Sequence, residues 1–170
     1  NHLAHLDRIA KDGTYTLAIS EVPNAMALLK FAPDRVETIR RLAKEGRIEF
    51  VNGFFLEPTV NLSGGEALAQ MPVLGLRWYE EVFGVRPRFA WMIDVCGMHG
   101  QMPQIVALSG LEALFFSRNN PMPKDTFWWV APDGTRSLAV ALGPGYASSR
   151  TLFNTREALT KEQVDELAAA

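Results

Sequence analysis

The stretch Phe89-Ala90-Trp91-Met92-Ile93-Asp94-Val95-Cys96-Gly97 is the most informative part of this sequence for both fold and function. Residues 89–93 are apolar and predict a short buried strand, and Gly97 marks the turn that ends it. Asp94 follows the strand directly. In open or barrel-shaped α/β sheets the carboxyl ends of the strands face the ligand crevice, so Asp94 is the first candidate functional residue. The alternative is that Asp94 caps the next helix, a role that aspartate often fills.

Strand-like and helix-like patterns alternate on both sides of this stretch. Strands are predicted over 15–19, 48–51, 89–93 and 114–116. Helices are predicted over 3–11, 20–31, 34–45, 66–82 and 102–108. Two further runs, 127–130 and 137–142, flank the turn residues 132–134 and predict a hairpin. Repeated β-then-α units predict an α/β fold with a parallel sheet and outer helices, to which the hairpin is a local antiparallel addition.

Some positions within these helices carry more detailed predictions. Ser20 is expected to cap the helix over 20–31. Pro72 predicts a kink or a late start in the helix over 66–82. The residues expected to face inward from that helix are Leu68, Leu74, Trp78 and Val82.

Composition places the chain among ordinary globular proteins and excludes several classes of function. Of its 170 residues, 48% are hydrophobic and 21% charged, with a net charge of −2. Without a long basic block, neither nucleic acid nor an anionic membrane surface is an expected partner. No apolar run approaches the roughly 20 residues that span a bilayer, and the first residues do not resemble a signal peptide.

The single cysteine and the two ends of the sequence lead to three further expectations. Cys96 excludes an intrachain disulfide and a multi-cysteine metal site, and it fits a reducing compartment, so we expect a cytoplasmic location. The sequence begins with Asn1, and 168–170 continue a helix-like pattern. We therefore expect residues 1–170 to be one partial domain, truncated at both ends. Whether the full-length protein forms a homo-oligomer is left open.

Two more charged residues follow predicted strands and could join Asp94. Arg118 follows the strand over 114–116, where it could hold Asp94 ionised as a nucleophile or a metal ligand; the alternative is an ordinary surface arginine. Glu57 follows the strand over 48–51, with an exposed loop residue as the alternative. Aromatic residues are plentiful nearby; most are expected in the core, although an aromatic ring beside a polar crevice can also pack on a sugar.

The N-terminal segment contains residues with ligand-like spacing, but its pattern argues against a metal site there. His5 and Asp7 are two residues apart on a predicted helix, where their side chains diverge by about 200°. We therefore do not expect them to converge on one ion. The sequence also lacks a phosphate-binding loop with its lysine, a GxSxG elbow and an HExxH motif.

Several motifs follow one another in a fixed order along the chain. They are 42–49 (LAKEGRIE), 53–58 (GFFLEP), 63–68 (SGGEAL), 75–84 (GLRWYEEVFG), 91–97 (WMIDVCG), 115–118 (FFSR) and 127–134 (FWWVAPDG). In this order and at this spacing they resemble the N-terminal catalytic domain of family 38 glycoside hydrolases, the retaining α-mannosidases. The likeness runs from about Asp7 to Tyr146.

The resemblance implies a seven-stranded β/α barrel and a function for particular residues. It implies that Asp94 is the carboxylate nucleophile and one ligand of a divalent cation, with Zn²⁺ expected. Arg118 and Tyr146 would contact the substrate, a mannose-containing oligosaccharide or glycoside. The reaction would be hydrolysis of terminal α-mannosidic bonds through a covalent glycosyl-enzyme intermediate. The general acid and the remaining metal ligands would lie outside this chain, so the 170-residue piece alone is expected to be inactive.

The sequence also departs from the family pattern near these residues. Cys96 stands where the family has phenylalanine, Met98 where histidine is common, Thr59 in place of an acid, and Gln70-Met71 in place of an Arg-Gln pair. These changes bear on substrate preference. Two alternatives stay open: a non-catalytic carbohydrate-binding or scaffold domain derived from the same barrel, and a metal-dependent polysaccharide deacetylase-like barrel.

Overall fold

Helices and strands alternate along the chain and form a mixed α/β fold, as predicted. The structure is a computed structural model that describes residues 2–118 and 120–142. The helices are α1 (His2–Lys11), α2 (Val22–Phe31), α3 (Val36–Lys44, preceded by a 3-10 turn over Pro33–Arg35), α4 (Gly65–Phe83) and α5 (Met102–Leu108). The strands are β1 (Leu17–Ile19), β2 (Ile48–Phe50), β3 (Phe89–Met92), β4 (Ala113–Phe116), β5 (Thr126–Val130) and β6 (Arg136–Ala141).

The described strands form two small sheets. Strand β1 pairs with β2 in parallel, and a second sheet has the order β3-β4-β6-β5. In this second sheet β3, β4 and β6 are parallel, and β5 alone runs antiparallel. The predicted hairpin is confirmed by the antiparallel pairing of β5 and β6. Its interpretation as a wholly local addition is wrong, because β6 continues the parallel sheet and only β5 is added to it. The seven-stranded barrel stays a prediction, since the described residues form sheets of two and four strands.

The two sheets are joined by hydrogen bonds that partly replace a strand-to-strand ladder. The Gly53 amide donates to the Phe89 carbonyl over 2.7 Å. On the same side of β3, the Trp91 amide donates to Oδ1 of Asn52 over 3.1 Å. Asn52 is fully buried, and its Oδ1 also accepts from the Phe54 amide. A side chain thus takes the place of a main-chain partner where β2 and β3 meet.

Helix α4 packs against both parts of the core. One apolar cluster surrounds β1 and β2, and another lies beneath β3 and β4. The buried residues of α4 are Leu68, Pro72, Gly75, Leu76, Tyr79 and Phe83. Leu74 is 51% exposed, so its predicted inner position is wrong, while Trp78 and Val82 are partly buried. Pro72 lies inside a helix that begins at Gly65, so the predicted late start is also wrong.

The helix ends show where local sequence signals hold and where they fail. Gly46 after α3 and Gly110 after α5 have φ values of +71° and +72°, as expected for glycines that end helices. The predicted Ser20 cap is wrong, because Glu21 occupies the N-cap position of α2 without a side-chain capping bond. Instead the Val22 amide donates to the Phe55 carbonyl over 2.9 Å.

None of the helices in the described part of the chain combines the length and the apolar character that a membrane span requires.

Candidate active site

Asp94 and Arg118 come together at the carboxyl ends of two neighbouring strands. In the parallel register Met92 lies opposite Phe116, so the residues two positions further on lie side by side. Arg118 Nε donates to Asp94 Oδ1 over 2.7 Å, and Nη2 of the same guanidinium also contacts Oδ1. The interpretation of Asp94 as a helix cap is wrong, because α5 begins only at Met102 and its N-cap residue is Gln101. The structure therefore forms the charge pair that was predicted from the sequence.

Glu57 holds the main chain on which Asp94 sits. Its Oε1 accepts a hydrogen bond from the Ile93 amide over 2.7 Å, and its Oε2 accepts one from the Asp94 amide over 3.3 Å. The side chain is half-buried, so the alternative of an exposed loop glutamate is wrong. Burial raises the pKa of Glu57; the two amides oppose this, while the nearby Glu21 and Asp94 carboxylates add to it.

Glu21 is a fourth charged residue at this edge, and it is not among the site residues predicted from the sequence. It lies just beyond β1, and its Oε1 accepts a hydrogen bond from the Glu57 amide over 2.8 Å. Its φ of +68° is the one positive value among the described residues other than glycine. A signal was present, because Glu21 follows a predicted strand closely, just as Asp94 does. That signal was missed because Ser20 and Pro23 were interpreted as the start of a helix.

A cavity of about 340 Å³ opens beside Arg118. Its aromatic lining comes from Phe116 of β4 and from Phe127, Trp128 and Trp129 of β5, and Met98 lies at its wall. Trp128 is 59% exposed, and the Arg136 guanidinium lies over its ring. Several of the aromatic residues noted in the sequence therefore line an accessible space beside the charge pair. Phe54, in contrast, is fully buried in the core.

The N-terminal His5 and Asp7 point to different partners. His5 Nδ1 lies 2.6 Å from the Tyr15 hydroxyl, and Asp7 forms an ion pair with Arg35 at 3.2 Å. Across residues 2–118 and 120–142 there is no group of three or more His, Cys, Asp or Glu side chains that could hold a metal ion. These residues alone therefore do not supply a complete ligand set around Asp94. Tyr146, the other predicted substrate contact, lies outside the described residues.

Comparison with known sequences gives consistent results. The sequence profile described as "Glycosyl hydrolases family 38 N-terminal domain" matches residues 4–170. An alpha-mannosidase of Saccharomyces cerevisiae is 33% identical over 93 residues, which cover 52% of this chain and 9% of that protein. A lysosomal alpha-mannosidase of Cavia porcellus is 37% identical over 84 residues, covering 48% of this chain and 8% of the relative. The matched part of the chain thus covers less than a tenth of the length of each of these two relatives.

A solved structure supports the fold. The crystal structure of an alpha-mannosidase from Enterococcus faecalis V583 superposes with a TM-score of 0.76. The superposition covers 84% of this chain and 17% of that chain, at 20% sequence identity. At this identity the likeness concerns the fold alone, and it agrees with the mixed α/β architecture of the described residues.

Proposed function

This chain belongs to glycosyl hydrolase family 38, and from that premise we propose that it forms part of an α-mannosidase that hydrolyses terminal α-mannosidic bonds with retention of configuration. The observation that carries the proposal is the Asp94 carboxylate, held by Arg118 at the carboxyl ends of β3 and β4. The substrate would be a mannose-containing oligosaccharide or glycoside. That substrate class follows from the names of the relatives, which are alpha-mannosidases.

We assign the role of nucleophile to Asp94. Hydrogen bonds from a guanidinium favour the ionised carboxylate, which is the form that attacks. A carboxylate oxygen of Asp94 would form a bond to the anomeric carbon while the bond to the leaving oxygen breaks, and a second carboxyl group would protonate that oxygen. Water, activated by the same second carboxylate, would then cleave the glycosyl ester and release Asp94. In retaining enzymes the two carboxyl groups flank the scissile bond about 5–5.5 Å apart, so the proton donor would lie across that bond from Asp94.

The divalent cation expected from the family stays a proposal, with Zn²⁺ as the expected ion. Asp94 would contribute one carboxylate ligand, a common donor for zinc. When bound, the cation would act as a Lewis acid toward sugar hydroxyls. The described residues do not place two further ligands around Asp94, so they do not by themselves fit the ion, and no step above passes through it.

We also propose that the aromatic cavity beside Arg118 receives part of the glycoside. Sugar rings present C–H faces that pack on aromatic side chains, and Trp129 and Phe127 offer such surfaces next to the proposed nucleophile. The Arg118 guanidinium at the rim would donate hydrogen bonds to sugar oxygens. This arrangement supports an active-site crevice more than a purely structural end of the sheet.

A cytoplasmic location remains our proposal, based on the single cysteine of the sequence. The lysosomal alpha-mannosidase among the relatives provides the alternative location. Imaging of the full-length protein with a fluorescent fusion at either end distinguishes the two, because a lysosomal protein would overlap with an acidic-organelle dye.

The test of the proposed function is a comparison of the full-length natural protein with its Asp94→Ala variant, using an aryl α-mannoside. We expect a loss of kcat of at least about a thousandfold, because the covalent step loses its nucleophile. Asp34→Asn, a substitution of an exposed aspartate before α3, serves as the matched control. Turnover by Asp94→Ala within about tenfold of the wild type would show that Asp94 is not the nucleophile. Binding of mannosides without turnover by the wild type would instead favour the non-catalytic alternative.

A further inference from the structure

We propose that Glu57 is a positioning residue for catalysis, which fixes the main chain that carries Asp94, and that Glu21 holds Glu57 in place. The catalytic consequence rests on the proposed function, since it requires that Asp94 be the nucleophile. The geometry behind it is independent of that assignment.

The position of β3 in its sheet explains why a side chain is needed here. Strand β3 forms one edge of the four-stranded sheet, so the amides on its outer side need partners from elsewhere. Alternate amides of a strand point the same way, and the outer ones include Trp91 and Ile93. Asn52 accepts from the first and Glu57 from the second, over 3.1 and 2.7 Å. Glu57 therefore takes over the role of a neighbouring strand at the point where β3 ends.

Glu57 also binds the residue that follows the strand. Its second oxygen accepts from the Asp94 amide, so one carboxylate links the last strand-like residue to the proposed nucleophile. The Asp94 side chain is held separately by Arg118. Asp94 is thus fixed through both its main chain and its carboxylate. Such fixation matters because a displacement of about 1 Å in a reacting group can lower the rate about a hundredfold.

The chemistry of this contact calls for a carboxylate. Two amide donors converge on two oxygens, and an ionised carboxylate offers acceptors at both without any donor of its own. A glutamine at position 57 would offer one oxygen and would direct its NH₂ group at the other amide. An aspartate would be one methylene shorter and would not reach both amides. Glu57 is thus matched to the two amides in both length and charge.

Glu21 shows that this arrangement is built at some conformational expense. Its φ of +68° is an uncommon backbone conformation for a residue with a side chain, and such strain tends to occur at functional sites. It occupies the N-cap position of α2, yet its carboxylate accepts from the Glu57 amide over 2.8 Å and does not cap the helix. One oxygen of the strained residue therefore holds the Glu57 loop, while its other oxygen accepts from the Asn24 side chain of α2 over 3.5 Å.

The test uses the full-length protein and separates positioning from folding. The variants are Glu57→Gln, Glu57→Asp and Glu57→Ala, with Glu49→Gln as the matched control, because Glu49 is an exposed glutamate on the strand that precedes the same loop. A fluorinated mannosyl inhibitor that labels the nucleophile counts the competent sites in each preparation. We expect Glu57→Gln to lower kcat per labelled site about 10- to 100-fold with KM within about twofold, and Glu57→Ala to lower it further. Glu49→Gln should match the wild type.

Four outcomes would overturn the inference. If a Glu57 variant shows fewer labelled sites but a wild-type kcat for each, Glu57 supports folding only. If Asp94→Ala, measured in parallel, retains turnover, the proposed function fails and the inference fails with it. If Asp94→Ala is inactive but the Glu57 variants are fully active, the inference alone is overturned.

Should the Glu57 variants not fold, Glu21→Ala provides the second measurement. It is expected to lower kcat per labelled site about 3- to 10-fold, with a smaller loss in Glu21→Gln, whose amide oxygen can still accept from the Glu57 amide. No loss in Glu21→Ala would overturn the inference too.

Discussion

Asp94 and Arg118 form an ion pair at the surface. The Asp94 side chain is 56% exposed to solvent and the Arg118 side chain is 41% exposed. Pairs at this exposure typically stabilise a protein by about 0–1 kcal/mol, because water competes for both charges. The same two strands carry a second exposed pair at their other end, where Arg88 donates two hydrogen bonds to Glu112. The two pairs are similar in exposure but differ in setting, since only the first lies beside Glu57 and the aromatic cavity.

This comparison leads to a prediction for Arg118. In the full-length protein we expect Arg118→Met to lower kcat on an aryl α-mannoside by about a hundredfold, and Arg118→Lys by less, because lysine keeps the charge without the planar fork. The thermal unfolding midpoint should change by less than about 3 °C. Arg88→Met is the matched control and should leave kcat unchanged. An equal loss of kcat in both variants would show that Arg118 acts only through the stability of the sheet.

Glu57 leads to a prediction about pH, because its pKa is raised by burial from an ordinary value of 4.5. A carboxyl group with a raised pKa in the folded state binds its proton more tightly there than in the unfolded state. Its contribution to stability is present at low pH and declines as pH rises from about 4.5 through the raised pKa. We expect Glu57→Gln to lack this component, so that its unfolding midpoint relative to the wild type rises as the pH increases above about 4.5. Glu49→Gln should show a flat difference, and a flat difference in Glu57→Gln as well would contradict the prediction.

The elements were predicted well where hydrophobic periodicity and glycine signals agree. The helix over 102–108 and the strand over 89–93 are found within a residue of their expected bounds, because each is a short, largely apolar run followed by a glycine stop signal. The buried side of α4 was predicted less well. Leu74 is exposed while Gly75 is buried, since the loop over 53–55 approaches this helix so closely that a small residue is needed there. Sequence periodicity does not report where another segment's backbone will lie.

The packing of α4 against this loop gives a prediction at the level of elements. A Cβ atom at Gly75 would lie within 2.7 Å of the Phe54 carbonyl carbon and of the Phe55 amide nitrogen, both of which are main-chain atoms that cannot rotate away. We expect Gly75→Ala to destabilise the domain by about 1–3 kcal/mol, through displacement of the loop that carries Glu57. Gly64→Ala, at a position where a Cβ meets no atom within 4 Å, is the control. Thermal unfolding of both variants checks the prediction, and equal midpoints would contradict it.

The candidate site was predicted in part, and the missing part has a physical explanation. Asp94, Arg118 and Glu57 each follow a strand, and parallel strands bring such residues to one edge of a sheet. Which atoms they contact depends on how the two small sheets meet. In the structure this is settled by Asn52 and Glu57, whose side chains bind the outer amides of β3. No local pattern in the sequence specifies those long-range contacts. Glu21 does follow a predicted strand, but nothing local to it indicates its contact with the Glu57 amide.

The arrangement of the whole described part leads to the last prediction, which concerns the 170-residue chain on its own. Within residues 2–118 and 120–142, the Glu57 carboxylate contacts the main chain at Asp94. Its two oxygens accept hydrogen bonds from the Ile93 and Asp94 amides. A group bound to those amides is not placed to protonate the leaving oxygen of a sugar attacked by Asp94, so the described residues supply the proposed nucleophile without a placed general acid. We expect the isolated chain to show no α-mannoside turnover, while the full-length protein is active. Circular dichroism of the isolated chain checks that helices and strands have formed. Turnover by the folded chain that is lost in its Asp94→Ala variant would contradict this prediction and place the general acid within these 170 residues.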